Sequence, residues 1–519
     1  MADEESLAMD SIRVAEVIAA LSLATDLGIG VPLEHGMQST LLAMRLADRL
    51  KVDGETAAQT YYACQLFYVG CTANADVAAD LFGADDALTT YASPGRFGSR
   101  MEMTAGFFRA VAPPGGAPIM RAGQLARRLP TVAKVVKNHI AAFCEVARML
   151  TDRLGVVSSV GPLFAYAAER WDGNGEPGRA RGDEIPLAMR IVHVARDAAF
   201  QRMLGGAEYS ASVVRRRAGH AFDPEVVAAL AGEGAGILAI DPASTWEETL
   251  ACEPGPRTIL EGGSIDRALA AMGDFADLVS PCFVGHSAGV AVLAMSAARR
   301  CSFDMADVTT IRRAALIHDI GRVAVPARIW RQPGPLTPDD WEKVRLHPYH
   351  TERILHRSPF LAVLAGVAGA HHERCDGSGY HRGTAAPGLT ASARLLAAAD
   401  AYQTKIELRP HREPLTPEQA AETLTREVRV GRLDAVAVRA VVEVAGQPAP
   451  RIEGPAGLTQ REIDVLRLLA RGLQTKQMAR VLGISVKTAD NHIQNVYSKI
   501  GVSTRAAAAV FAMQHGLVP

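Results

Sequence analysis

Strand-like alternation is almost wholly missing from this chain of 519 residues, and aromatics make up only 5% of it. Without period-two patterning a large sheet has no basis, so the expected fold class is all-α, packed through alanine and aliphatic side chains. Paired cysteines are missing too. Cys64, Cys71, Cys144, Cys252, Cys282, Cys301 and Cys375 are scattered, odd in number and form no C-x-x-C. That excludes a disulfide framework and a structural zinc knuckle, and it points to a reducing compartment. There is no charge excess: the formal net charge is −1, so any surface for a polyanion must be local. The opening MADEESLAMD lacks the basic stretch of a secretory signal. The longest apolar run, Phe360 to Ala365, is too short to span a bilayer. A cytoplasmic protein without a membrane partner is therefore expected.

What is there begins with a repeat. HHERCDGSGY, from His371 to Tyr380, echoes AAERWDGNGE, from Ala167 to Glu176. In both copies the glutamate is followed after 21 residues by an arginine, Arg394 after Glu373 and Arg190 after Glu169. GHAFDPEVVAAL near Gly219 echoes GRLDAVAVRAVV near Gly431, and His35 and His286 each open a helical apolar pattern. Two domains from one ancestral unit are expected, at 10–232 and 265–446, with a turn-rich connector at 233–264 between them. The first copy carries a Pro/Gly-rich insert, APPGGAPI, which reads as loop. A Pro/Gly-rich linker at 447–456 leads to a last domain at 457–519.

The second copy places histidines and acids in series: His286, His318-Asp319, His347, His371-His372 and Asp400. One such histidine alone is ordinary. Five of the chain's 15 in one ordered series, beside a copy that lacks most of them, are not. Imidazoles and carboxylates in that number suit a pair of divalent ions sharing a bridging carboxylate, with a water activated between them to attack phosphorus.

AALIHDIGRVAVP, RLHPYHTERIL, HHERCDGSGY and AAADAY, with His286 before them, resemble the HD-GYP branch of the HD phosphohydrolases over 265–446. The resemblance implies a helical fold, two divalent metal ions (iron or manganese) and hydrolysis of cyclic di-GMP or a related phosphodiester. It implies that His286, His318, Asp319 and Asp400 hold one ion, and that Asp319 bridges to a second held by His347, His371 and His372. Gly377, Gly379 and Tyr380 would form the substrate loop. The chain departs from the family at four places. Arg322 stands where the family has a phosphate-facing lysine, keeping the charge but adding a planar fork. His381 replaces the proline of GYP, Gln403 replaces a second aspartate, and Cys282 replaces a glutamate that holds a third metal in some members.

In the first copy, Phe67-Tyr68 align with His318-Asp319, Ala167-Ala168 with His371-His372, and Arg196 with Asp400. His35 alone clearly remains, with His139 an uncertain counterpart of His347. Two metals cannot be held there. A regulatory, dimerising or sensing module and a mere packing partner are both open.

From Leu458 the chain reads LTQREIDVLRLLARGLQTKQMARVLGISVKTADNHIQNVYSKIGVSTRAAAAV. Thr459 and Glu462 form a capping box, and two helices separated by Ile484-Ser485 make a helix-turn-helix. Eight basic residues against three acidic ones fit phosphate contact. The segment resembles the LuxR-type DNA-binding domain, which implies four helices, dimerisation through the last, near Thr504 to His515, and binding of double-stranded DNA. Thr475, Lys476, Lys487, Thr488, Asn491, His492, Asn495 and Lys499 are the implied DNA-facing residues. Ala489 replaces the usual valine, and Gln474-Thr475 the usual Ser/Thr-Asn. The expected whole is a homodimeric transcriptional regulator carrying a phosphodiesterase, with Asp319 and Arg322 at the reacting phosphate. The alternative is a metal or nucleotide sensor that scarcely turns over.

Overall fold

The computed structural model describes residues 11–70, 92–112, 145–231, 236–448 and 455–515, with positions 90, 123, 125, 126, 517 and 518. His139, Cys71, Cys144, most of the Pro/Gly-rich insert and the middle of the 447–456 linker lie outside them. Nearly all the regular elements of the described chain are helices, as its patterning predicts. Its one sheet pairs Ser11–Arg13 with Ile259–Glu261, antiparallel, Ser11 opposite Glu261. Two compact units form: Met1–Val284 with Ile320–Val363, and Gly285–Asp319 with Leu364–Pro519.

In the first unit, helix Val14–Ile29 is apolar around nearly its whole circumference and is buried accordingly. Helices His35–Arg49, Gly54–Gln65 and Leu187–Arg217 pack on one another. The last is two helices merged at Gly206, whose φ of 81° breaks the helical path. The expected connector holds the short helix Thr245–Ala251 and the second strand. Within this unit the turn Ile320–Ala324 lies so close to helix His347–Leu355 that a Cβ on Gly321 would sit 2.2 Å from the His347 carbonyl oxygen. The glycine of the HDIG motif is thus a packing requirement.

In the second unit, helix His286–Arg300 packs against Met305–Ile317, Ala391–Ile406 and Ala435–Val444. By length and composition the segment Pro281–Arg300 is also apolar enough to cross a membrane, although His286 and two serines interrupt it. It is 44% buried within the protein, and its apolar side is used in helix packing. Four helices close the chain: Gln460–Ala470, Thr475–Leu482, Val486–Ile500 and Arg505–Gln514. Leu458, Ile463, Leu466, Met478, Ile493, Val496 and Ala512 are among the residues that form their core, each large aliphatic side chain contributing roughly 1.5–3 kcal/mol by burial.

The repeat read in the sequence is a repeat in structure. Glu169 accepts from the Arg179 backbone at 2.9 Å, and Glu373 accepts from those of Arg382 and Thr384 at 2.8 Å. Asp172 and Asp376 each accept from the backbone two residues on. A Cβ on Gly175 would come 2.5 Å from the Arg170 nitrogen, and one on Gly379 would come 2.4 Å from that of Arg374. Both turns contain a cis peptide at the same place, Glu176–Pro177 and Tyr380–His381. Arg190 meets Asp223 at 2.7 Å in one copy, and Arg394 meets Asp434 at 3.3 Å in the other.

Candidate metal centre and DNA-facing helix

Each ligand candidate in the second unit sits at a helix end or on a buried helix face. His286 opens its helix after Gly285, a left-handed residue at φ 83°; His35 opens its own after Glu34 at φ 72°. His318 caps the C-terminus of Met305–Ile317, with Asp319 next to it. His371 and His372 stand at the mouth of the Glu373 turn, and Asp400 lies on the buried face of Ala391–Ile406. His286, His318, Asp319 and His371 are fully buried, and Asp400 nearly so.

These side chains converge. The Asp319 carboxylate stands 3.4 Å from His286 Nε2, 3.0 Å from His318 Nε2 and 3.3 Å from His371 Nε2. The Asp400 carboxylate stands 3.3 Å from His286 Nε2 and 3.6 Å from His372 Nδ1. His286, His318 and Asp400 form one group of donor atoms, and His318, Asp319 and His371 another, each within 4.8 Å. Asp319 thus faces three imidazoles at once. Burial pushes the Asp400 carboxyl up, but the hydrogen bond from His286 and the charges of His372, His286 and His371 outweigh it and hold it well below the usual carboxylate range.

The ring orientations suit a cation. His318 Nδ1 donates to the Ala315 carbonyl at 2.7 Å and His371 Nδ1 to that of Ala368 at 2.6 Å, which fixes the tautomer whose Nε2 faces inward. His286 differs: its Nδ1 donates to the Glu407 carboxylate at 2.9 Å. Glu407 also accepts from Gln403 and from Arg409, each at 2.7 Å. Glu407 escaped the sequence reading; it follows directly on the end of helix Ala391–Ile406, in extended conformation. Imidazole and carboxylate donors, outer nitrogens tied back and inner atoms converging, are a set that fits divalent ions.

Tyr380 lies against His372, ring centroids 4.7 Å apart, and Gly377 has the left-handed φ of 80°. His347 and Arg322 belong to the first unit. His347 opens helix His347–Leu355, buried, with Nδ1 donating to the Val344 carbonyl at 2.6 Å. Arg322 is 5% exposed, its guanidinium 4.1 Å from the Phe283 ring centroid, and Trp330 donates to its carbonyl at 3.3 Å. The phosphate-facing cation implied by the sequence is therefore packed on an aromatic face.

The first copy has no such cluster among its described residues. The Arg196 guanidinium lies 4.0 Å from the Tyr68 centroid and 4.8 Å from that of Phe67, and it donates to the Cys64 carbonyl at 2.8 Å. Burial, then the charges of Arg196 and Arg202, push the His35 imidazole down to about 3. Burial also pushes the nearby Asp26 carboxyl up to about 8. A fixed cation and two aromatic rings stand where the second copy has ligands.

In the last domain the capping box Thr459–Glu462 is present, and Ser485 caps Val486–Ile500 by accepting from Thr488 at 3.0 Å. Lys476, Lys487, Thr488, Asn491 and Asn495 are exposed, while Thr475 and His492 are half-buried. Lys499 is engaged within the domain, donating to Glu462 at 2.7 Å and to the Gly457 carbonyl at 2.9 Å.

A family model described as the HD domain matches residues 123–226 and 271–436, both copies of the repeat. A second, described as bacterial regulatory proteins of the luxR family, matches 456–512. The chain is 28% identical over 433 residues to 3'3'-cGAMP-specific phosphodiesterase 3 of Vibrio cholerae, covering 80% of this chain and 91% of that protein. It is 42% identical over 115 residues to a cyclic di-GMP phosphodiesterase of Thermotoga maritima, 22% of this chain and 31% of that one. A crystal structure of a cyclic GMP-AMP specific phosphodiesterase of V. cholerae superposes with a TM-score of 0.57 at 22% identity, covering 85% of this chain and 99% of that chain. That likeness is one of fold.

Proposed function

Because the chain belongs to the HD-domain family and closes in a domain of the luxR family of bacterial regulatory proteins, we propose that it is a DNA-binding regulator whose second HD domain hydrolyses a cyclic dinucleotide. HD domains are metal-dependent hydrolases, and its relatives are cyclic di-GMP and cGAMP phosphodiesterases. The observation that carries the proposal is Asp319, buried and facing three imidazoles at 3.0–3.4 Å. In it, His286, His318, Asp319 and Asp400 hold one of two ions, iron or manganese, and Asp319, His371 and His372 hold the other, with His347 joining on its sequence position alone. When bound, such ions acidify water and stabilise charge on phosphoryl oxygens. The chain's own part is to fix those ligands, hold the Asp400 carboxyl well below the usual carboxylate range, and present Tyr380 beside His372 as a platform for the substrate. Arg322 is retained as a phosphate contact on its position after the HDIG motif.

Exposed Lys487, Thr488, Asn491 and Asn495 would enter the major groove, with Thr475 and Lys476 on phosphate. Val510 and Met513 leave 47% of their surface exposed, three positions apart on the last helix, which supports that helix as a homodimer contact. A DNA reader of this kind works in the cytoplasm.

Anaerobic loading of the full chain with manganese or iron should give linearisation of cyclic di-GMP or 3'3'-cGAMP, abolished by His318→Ala with Asp319→Ala. A second reading, a sensor without turnover, draws on Arg322, whose guanidinium is buried on Phe283 rather than open to a phosphate. Equal inactivity of wild type and double variant, both still binding the nucleotide, would favour it.

A further inference from the structure

The second unit contains a cavity of about 190 Å³ whose wall includes two of the candidate ligands, His372 and Asp400. Arg374, Lys405, Arg432 and Glu427 line the remainder. The charges in this lining do not balance. Glu427 is committed to Arg432, at 3.0 Å. Asp400 is turned to the imidazoles of His286 and His372. Arg374 uses its Nη1 on the carbonyls of His371 and Glu373. Lys405 Nζ has no hydrogen bond or ion pair among the described residues. Its backbone is held all the same, the carbonyl accepting from Leu415 at 2.9 Å and from Arg412 at 3.0 Å. Three cations therefore line the space, with one carboxylate among them already paired and a second facing the ligand cluster. A half-covered ammonium without a partner is costly, and an anion entering the cavity would remove that cost.

We propose that this cavity is a subsite for a second phosphate of the substrate, with Lys405 its specificity-determining contact. The inference rests on the phosphodiesterase reading of the adjacent cluster and narrows it. A phosphodiester at the ligand cluster and a further phosphate beside Lys405 require a molecule carrying two phosphates, as a cyclic dinucleotide does. A nucleotide with one phosphate fills only one of the two places.

The test is equilibrium binding to the manganese-loaded full chain, using the non-hydrolysable phosphorothioate analogue of cyclic di-GMP and, beside it, cyclic GMP with its single phosphate. Wild type should bind the dinucleotide more tightly. Lys405→Met should weaken that binding at least about tenfold, the loss of one charge-assisted contact, and Lys405→Arg should recover most of it. Melting temperatures of both variants verify that they fold. Unchanged affinity in Lys405→Met, failure of Lys405→Arg to recover binding, or equal wild-type affinity for the two ligands would overturn the subsite. Hydrolysis of bis(p-nitrophenyl) phosphate by the wild type tests the phosphodiesterase reading separately. If that hydrolysis fails, the reading falls while the binding data still decide the cavity; if it succeeds and Lys405→Met binds normally, only the subsite falls.

Discussion

Glu407 reaches His286 across 121 positions of sequence and gives its Nδ1 a charged partner, where the Nδ1 atoms of His318 and His371 meet backbone carbonyls. Carboxylates in that position raise ligand basicity and fix ring orientation, so Glu407→Ala should lower manganese affinity by about 10- to 100-fold, and Glu407→Gln by less. Titration of the metal-free protein measures this, and equal affinity in Glu407→Ala would contradict it. The candidate ligands were legible because metal chemistry tolerates few residue types, and His-Asp and His-His pairs stand out in an alanine-rich chain. Glu407 was not, because only packing of helix Ala391–Ile406 against His286–Arg300 gives it a role. In the first copy, burial raises Asp26 to about 8 from an ordinary value of 3.8. A native state that keeps this proton loses stability as pH rises through that interval. His35, lowered to about 3 from 6.5, acts oppositely, its contribution being lost as pH falls below 6.5. Above pH 6.5 His35 is neutral in both states and only Asp26 remains. Asp26→Asn should therefore flatten the decline in melting temperature between pH 6.5 and 8, as calorimetry would register; the same slope in both proteins would count against it.

Helix Val486–Ile500 holds its basic residues in two different settings. Lys487 is exposed, whereas Lys499 is tied to Glu462 and Gly457. Lys487→Ala should weaken DNA binding for all sequences and reduce the salt slope by about one. Lys499→Ala should instead lower the melting temperature of the domain and leave the salt slope as it was. Fluorescence anisotropy over a salt series, run beside thermal melts, separates the two. Helix ends were the most legible elements, because Thr459, Ser485 and Thr504 announce caps by residue type. The break at Gly206 went unread, although the pair Gly205-Gly206 is a signal of the kind that marks breaks. A list of basic residues does not tell which of them a neighbouring carboxylate engages.

The whole chain sets two copies of one fold to different uses. The shared turns keep their glycines, their buried glutamates and their arginine–aspartate pairs, while Arg196, Phe67 and Tyr68 occupy the positions that Asp400, His318 and Asp319 hold in the second copy. The duplication was legible because turn geometry constrains sequence as strictly as metal chemistry does. The association of Ile320–Val363 with Met1–Val284 was not, since no local pattern tells a helix which core it will join. With the Arg196 guanidinium packed on Tyr68 and Phe67 in the first copy, the chain's metal content is a direct question about the cluster in the second. Elemental analysis of the anaerobically purified full chain should find two transition-metal ions per chain in the wild type and a clear loss in His318→Ala with Asp319→Ala. A wild type without bound metal, or a double variant that keeps its full complement, would contradict the assignment of the centre to Asp319 and the imidazoles around it.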